Sequence, residues 1–208
     1  MAILRQSAKD LVYEALKEKI LKQEYNLGDP LNIVHLSAEF GTSNTPIREA
    51  LSRLESEGLV TSSLNSKFRV TELTEESSHE LNNTILILLQ GGLSLCIKEG
   101  KTAELEKELS RTLEKQLSLY DSADAFAYVM ASLAFDRSFV AAAGNARLLR
   151  IFDTQANLFS LSMSYSDKKS RQSNLAEHKA ILAAIKEGDY ANVNLLLEKH
   201  YDKHVWDF

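Results

Sequence analysis

Residues 36–60 read Leu36-Ser37-Ala38-Glu39-Phe40-Gly41-Thr42-Ser43-Asn44-Thr45-Pro46-Ile47-Arg48-Glu49-Ala50-Leu51-Ser52-Arg53-Leu54-Glu55-Ser56-Glu57-Gly58-Leu59-Val60. The stretch describes two short helices and a turn. Leu36 and Phe40 stand one helical turn apart, Gly41 supplies the positive φ that ends the first helix, and Ser43 or Asn44 is placed to cap the second with a side-chain oxygen. Pro46 falls at the start of that second helix, where its missing N–H costs nothing. Ile47, Leu51 and Leu54 then repeat at helical spacing and face inward, leaving Asn44, Thr45, Arg48, Ser52 and Arg53 on the opposite side. A short polar helix carrying two arginines and held against a partner helix is how helix-turn-helix proteins present side chains to the major groove. Periodicity alone would equally describe a plain helical hairpin. The next residues decide: Gly58 closes the helix, and Leu59 to Ser62 and Phe68 to Thr71 are two β-rich runs around a polar tip, residues 64–67. The expected unit is a winged helix-turn-helix.

Outward from this stretch, Ser7 is placed to cap a first helix reaching about Gln23, with Leu11, Val12, Ala15, Leu16 and Ile20 as its buried stripe. Tyr25 to Pro30 reads as a turn. The wing ends near Leu73, and Thr74-Glu75-Glu76-Ser77 carries a capping signal for a new helix, which sets a domain boundary between residues 73 and 74. No Gly/Ser or Pro linker separates the halves, so a shift in one is expected to move the other. From residue 74 nothing reads as strand. Segments 75–99, 102–120, 122–143, 145–166, 172–187 and 189–205 show helical spacing between breakers such as Gly100, Gly144 and Gly188, predicting an antiparallel bundle of six or seven helices. The fold class is therefore mostly α, with a DNA-binding unit at 1–73 and an all-helical unit at 74–208.

The chain has 208 residues, a formal net charge of −5, 44% hydrophobic and 25% charged residues, two prolines and one cysteine. Cys96 has no partner for an internal disulfide and lies in the apolar Leu93-Ser94-Leu95-Cys96-Ile97, a setting for an inert thiol. No apolar run is expected to be long enough to span a bilayer, and the first residues lack a signal-peptide core, so the expectation is a cytoplasmic protein with no membrane partner. The net charge provides no global attraction to nucleic acid, so local placement must do so. Arg48, Arg53, Lys67 and Arg69 fall on the second helix and wing, whereas Glu14, Glu18 and Glu24 fall on the first helix. Few cations per subunit mean few phosphate contacts, so specific binding is expected to need two subunits together.

Thr45-Pro46-Ile47-Arg48-Glu49-Ala50-Leu51, then Arg53-Leu54, then Glu57-Gly58-Leu59-Val60 resembles the DNA-binding domain of the GntR family of bacterial transcription regulators. The resemblance implies Ser43, Asn44, Thr45, Arg48 and Arg53 on the reading helix and Lys67 on the wing as DNA contacts. Farther on, Phe135-Asp136, Ala142-Ala143-Gly144-Asn145, Glu177-His178, Ala183-Ala184-Ile185, Gly188-Asp189 and His200 resemble, in order and spacing, the all-helical effector domain of the FadR branch of that family, the FCD domain. That domain builds a metal site from an Asp and a His one turn apart on one helix, with a His on each of two later helices. The two later positions are His178 and His200. On the earlier helix the His position holds Asp136 and the Asp position holds Ser132, so a three-ligand site of Asp136, His178 and His200 for Zn²⁺, Ni²⁺ or Mn²⁺ is what the resemblance leaves. The same side chains also suit a hydrogen-bonded polar cluster in a bundle core. His204, one turn past His200, is a substitute ligand. Where the family meets an effector carboxylate with Arg, this chain has Leu86, inside the apolar run Ile85 to Leu89. The implied effector pocket of Leu86, Ser132, Asp136, His178 and His200 therefore suits an apolar or amphipathic ligand.

The expected function is a sequence-specific transcription regulator, a repressor acting as a homodimer on palindromic double-stranded operator DNA and answering to a small-molecule effector. Two other readings fit parts of the sequence. A regulator without effector, constitutive or working through a protein partner, is consistent with the departures at Leu86, Ser132 and Asp136. A small metal-dependent enzyme built on Asp136, His178 and His200 leaves the winged domain unexplained and offers no nucleophile–base pair.

Overall fold

The computed structural model describes residues 7–63, 67–163 and 168–202. The wing tip at residues 64–66 and His204 lie outside these residues. The chain divides into two compact units, residues 1–73 and 74–208.

In the first unit, helix α1 (Ala8–Leu21) is capped by the Ser7 side chain, which accepts from the Asp10 N–H. Helix α2 (Ile33–Glu39) is capped by Asn32 and stopped at Gly41, whose φ of +61° a side chain would strain. Helix α3 (Asn44–Ser56) follows after Thr42 and Ser43. Ser43 sits at the cap position but makes no side-chain capping bond, so the expected cap is not formed. Ile47, Ala50, Leu51 and Leu54 of α3 pack on Val12, Tyr13, Leu16 and Ile20 of α1 as the core of the unit. The stripe on α1 is displaced from the expected one: Leu11 is 55% exposed, and Tyr13 is buried in its place. Tyr13 can go inside because its hydroxyl donates to Glu57 Oε1 at 2.6 Å.

The wing strands are β2 (Val60–Ser63) and β3 (Lys67–Val70), paired antiparallel with Val60 opposite Val70. A third strand, β1 (Pro30–Leu31), joins the outer edge of β3 in the order β1-β3-β2, where the sequence suggested only a turn.

The second unit holds α4 (Glu75–Lys98), α5 (Thr102–Ser118), α6 (Ala125–Ala142), α7 (Ala146–Met163), α8 (Lys168–Glu187) and α9 (Tyr190–Tyr201). Thr74 and Ser77 form a reciprocal capping box at the start of α4. One apolar core joins Ile85, Leu89 and Leu93 of α4, Leu105 and Leu109 of α5, Phe135 and Phe139 of α6, and residues of α7, α8 and α9. Helix α6 is buried on most sides by α4, α5 and α7. Gly92 lets α4 cross it closely, since a Cβ there would stand 2.5 Å from the Phe139 carbonyl oxygen. Contrary to the expectation that no apolar run is long enough, α4 and α6 pass for membrane spans by length and composition. About half of each apolar stretch is buried in the bundle core, although Ile87, Ile97 and Met130 are exposed, and α6 also buries Ser132, Asp136 and Ser138 there.

Candidate functional site

Two groups of side chains stand apart from the packing. The first is the outer face of α3. Ser43, Asn44, Thr45 and Arg48 are exposed around its N-terminal end, and their side chains make no hydrogen bond or ion pair among the described residues. Free backbone N–H groups and open polar side chains together suit a phosphate or a base edge. Lys67 is exposed at the start of β3. Arg69, on the same strand, is turned back, with Nη1 donating to the Gly28 carbonyl at 2.9 Å.

Arg53 is placed differently from its neighbours. Its guanidinium carbon lies 3.6 Å from the centre of the Tyr13 ring, and its nitrogens stand 3.6 Å from Asp10 and 3.7 Å from Glu57. Lys17 closes the group by donating to Glu57 Oε2 at 2.9 Å and to the Tyr13 hydroxyl at 3.0 Å. Arg53 thus fastens α3 to α1, a role for which its helical position carries no signal.

The second group lies in the bundle. Asp136 of α6, His178 of α8 and His200 of α9 each offer one ligand atom, and these atoms all lie within 4.8 Å of one another. Asp136 and His178 are fully buried, and the His200 side chain is nearly so. The orientation of both rings is set from behind. Gln116 Nε2 is committed to Asn174 Oδ1 at 2.6 Å and the Tyr128 hydroxyl at 3.1 Å, so its Oε1 faces His178 Nδ1 at 2.8 Å. His178 must therefore carry its proton on Nδ1, leaving the Nε2 lone pair toward Asp136 Oδ1 at 3.5 Å. Glu177 Oε2 accepts from His200 Nδ1 at 2.6 Å in the same way. Phe135 stacks on the His178 ring with centroids 4.1 Å apart. An acceptor behind each imidazole is how proteins hold histidines for a metal.

What remains on the inner side is unsatisfied. Both Asp136 oxygens, His178 Nε2 and the Tyr201 hydroxyl are buried without a hydrogen-bond partner. Tyr201 acts on the Asp136 carboxylate, but the two groups do not meet hydrogen-bond geometry. Burial raises the Asp136 carboxyl to about 6 despite the opposing influence of His200. Burial likewise holds His178 well below the usual imidazole range and depresses His200. The cluster is thus a carboxylate facing two neutral imidazole lone pairs rather than an ion pair. A satisfied polar cluster would leave no such row of acceptors. A cation fits the donor set, with two nitrogens and a carboxylate presented to one point.

Of the expected effector-pocket residues, Ser132 is engaged elsewhere: its hydroxyl donates to Asn174 Oδ1 at 2.9 Å, extending the Gln116–Tyr128 network. Leu86 is partly buried against the bundle core, whereas Ile87 beside it is 67% exposed. The residues not anticipated are Gln116, Asn174, Glu177 and Tyr201. Only Glu177 was marked at all, through its place beside His178.

The GntR description of bacterial regulatory proteins ("Bacterial regulatory proteins, gntR family") matches residues 8–70, and the FCD domain matches residues 89–203. The chain is 26% identical over 204 residues to the HTH-type transcriptional regulator YdhC of Bacillus subtilis (strain 168), covering 93% of this chain and 90% of that protein. It is 28% identical over 190 residues to a probable D-xylose utilization operon transcriptional repressor of Paenarthrobacter nicotinovorans, covering 90% and 82% respectively. A putative GntR transcriptional regulator from Rhodococcus sp. RHA1 shares the fold with a TM-score of 0.79 at 18% identity, covering 95% of each chain. FCD domains often bind metal ions, which agrees with the donor set found here. The open face of α3, the wing beside it and the ligand cluster in the helical unit thus belong to one kind of molecule, and the chain is a member of the GntR family of bacterial transcription regulators, in the branch that carries an FCD domain.

Proposed function

We propose that the protein is a cytoplasmic repressor that binds a palindromic operator as a homodimer through α3 and the wing, and releases it when the helical unit takes up an effector. The observation that carries this reading is the pairing of an uncommitted polar face, Ser43, Asn44, Thr45 and Arg48, with a cluster of ligand atoms on Asp136, His178 and His200, in which both Asp136 oxygens and His178 Nε2 are buried without a hydrogen-bond partner. Arg48 is suited to two-pronged contact with guanine or phosphate, and Asn44 to adenine. Lys67 adds a backbone contact from the wing, and Arg53 holds α3 in register on α1.

In the helical unit Asp136, His178 and His200 would hold one divalent ion, Zn²⁺, Ni²⁺ or Mn²⁺. Such an ion supplies positive charge and open coordination for a water or an effector oxygen. Gln116 and Glu177 keep the two Nε2 lone pairs turned inward, and Phe135 fixes the His178 plane. With Leu86 where the family places an arginine, the remainder of the effector would be apolar or amphipathic. No linker residues separate Leu73 from the cap of α4 at Thr74, so a change in the bundle is passed directly along the chain. A rearranged dimer no longer matches half-sites about 34 Å apart.

Selection of bound sites from random DNA by the full chain tests the reading. A palindrome bound by two chains, more weakly by Arg48→Ala, is the expected result. A single half-site bound by one chain would overturn the dimeric repressor. Elemental analysis should find about one such ion per chain, and a chelator should lower the melting temperature of the wild type but not of His178→Ala.

A further inference from the structure

The first unit carries an open groove that the contacts assigned to α3 and the wing leave unused. It lies between the first turns of α1 and the flank of α3, offers about 530 Å³, and its lining includes Lys9, Asp10, Tyr13, Arg48, Glu49 and Arg53. Contacts at three levels fix its geometry. Lys9 Nζ stands 3.7 Å from Glu49, Asp10 lies 3.6 Å from Arg53, and the Tyr13 hydroxyl donates to Glu57. The two helices therefore run side by side in the same sense, with the start of α1 level with the middle of α3. Three cations, Lys9, Arg48 and Arg53, face two carboxylates, Asp10 and Glu49, across the groove. Asp10 is occupied by Arg53 and by the Ser7 hydroxyl, which donates to it at 2.6 Å. Lys9 answers Glu49, but both side chains are more than half exposed, 55% and 52%. Arg48 has no acidic partner among the described residues.

We propose that this groove takes a phosphate of the operator backbone, and that Lys9 turns from Glu49 to contact it, making α1 a third element on the DNA beside α3 and the wing. The inference rests on the reading of α3 as the helix that enters the major groove. A helix 10–12 Å across fills a major groove about 12 Å wide, so when the face bearing Asn44, Thr45 and Arg48 meets the bases, the flanks of α3 meet the two sugar–phosphate walls. Glu49 and Arg53 sit about 100° round the helix from Arg48 and Ser52, on the flank toward α1. The wall on that side passes the opening of the groove, where the positive charge is in excess. An exposed lysine–carboxylate pair is weak, so parting it costs little, whereas neutralising a phosphate releases condensed counterions. Glu49 thus keeps the Lys9 ammonium at the groove in the free chain and opposes the phosphate in the complex.

The test titrates full-length wild type, Lys9→Ala, Glu49→Gln and the double variant with a duplex of the site selected from random DNA, at several salt concentrations. Lys9→Ala should lower the slope of log affinity against log salt by about 0.9 per bound subunit and weaken binding roughly eightfold per subunit at 0.1 M salt, without changing base preference. The same loss should appear when Lys9→Ala is made in the Glu49→Gln background, and Glu49→Gln alone should bind more tightly than wild type. Exchanging the duplex phosphates for methylphosphonates one at a time should reveal one position in each half-site that weakens wild type and leaves Lys9→Ala unmoved. An effect of Lys9→Ala that disappears in the Glu49→Gln background would mean that the lysine only screens Glu49, and overturns the phosphate contact. Unchanged affinity and slope for Lys9→Ala, with Arg48→Ala still weakened, overturns the groove and leaves α3 as the reader. Failure of wild type to bind duplex DNA overturns the DNA-binding reading and this inference together.

Discussion

Replacing Asp136 by Asn should stabilise the metal-free protein, the opposite of the usual outcome for a buried polar residue. The Asp136 carboxyl is raised by burial from 3.8 to about 6. A carboxyl that titrates higher in the folded chain than in the unfolded one imposes no penalty below about pH 4 and its full penalty above pH 6, so its effect on stability worsens as pH rises between the two. At about 1.4 kcal/mol per tenfold change, this displacement corresponds to about 3 kcal/mol at pH 8. Asn carries no charge, and its amide can donate to His178 Nε2, which otherwise has no partner. Unfolding entropy near 2.1 cal/mol/K per residue, over the roughly 135 residues of the helical unit, amounts to about 0.28 kcal/mol/K, so the expected gain in melting temperature is about 10 °C. Depression of His178 weakens folding toward acid pH in wild type and variant alike, whereas His200, which Asp136 holds up against burial, is depressed further in the variant and adds to its loss at acid pH. The assay is thermal unfolding of the full chain in excess chelator, followed by circular dichroism, at about pH 8 and again near pH 4, where the gain should vanish. Adding Zn²⁺ at about a hundredfold over its Kd should raise wild type by about 2.7 kcal/mol and leave the variant unmoved. A variant that melts at or below wild type in chelator at pH 8 would refute the idea that Asp136 is an unpaired buried carboxylate.

Arg48→Ala should lose about 1–3 kcal/mol of operator affinity in a protein of unchanged stability, read by titration of the selected site. Arg53→Ala should instead destabilise the first unit by about 0.5–2 kcal/mol through loss of the stack on Tyr13, and Arg53→Lys should recover only part of it, since the flanking ion pairs are half exposed and contribute little. Lys67→Ala should weaken binding to all sequences alike and lower the salt slope by about one, measured by titrations at several salt concentrations. Glu177→Ala leaves the three ligands in place but frees the His200 ring, and metal affinity should fall about 10–100-fold by competition with a chromophoric chelator.

The winged unit was legible because its signals are local. Gly41, Pro46 and the Ile47, Leu51, Leu54 stripe mark α2 and α3 within a few residues of one another. Strand β1 was not legible, because Pro30-Leu31 is two residues long and exists only through pairing with Arg69 and Phe68, far along the chain. The one-residue error in the buried stripe of α1 has a similar origin. Leu11 is the more apolar residue, but Tyr13 has a distant acceptor in Glu57. In the bundle, the breakers Gly100, Gly144 and Gly188 mark helix ends that a sequence can show. The ligand cluster was found through family resemblance at Asp136, His178 and His200. Its supports were not, since Gln116 reaches His178 across 62 positions and Glu177 reaches His200 across 23. Nothing in the neighbouring residues of Gln116 separates it from any other glutamine on a helix.

Gly92 has a bearing on how such a sensor can change over generations. The α4 and α6 backbones meet there, and any side chain would collide with the carbonyl of Phe139 rather than with a flexible group that could step aside. Phe139 lies one turn beyond Asp136 on α6, so relief of the clash displaces a ligand whose distance to an ion tolerates only about 0.2 Å. A mutation at a residue with no side chain could therefore retune or silence metal selection while leaving every donor intact. Descendants of this chain are freer to exchange one ligand for another than to lose the hydrogen atom that stands where a Cβ would be.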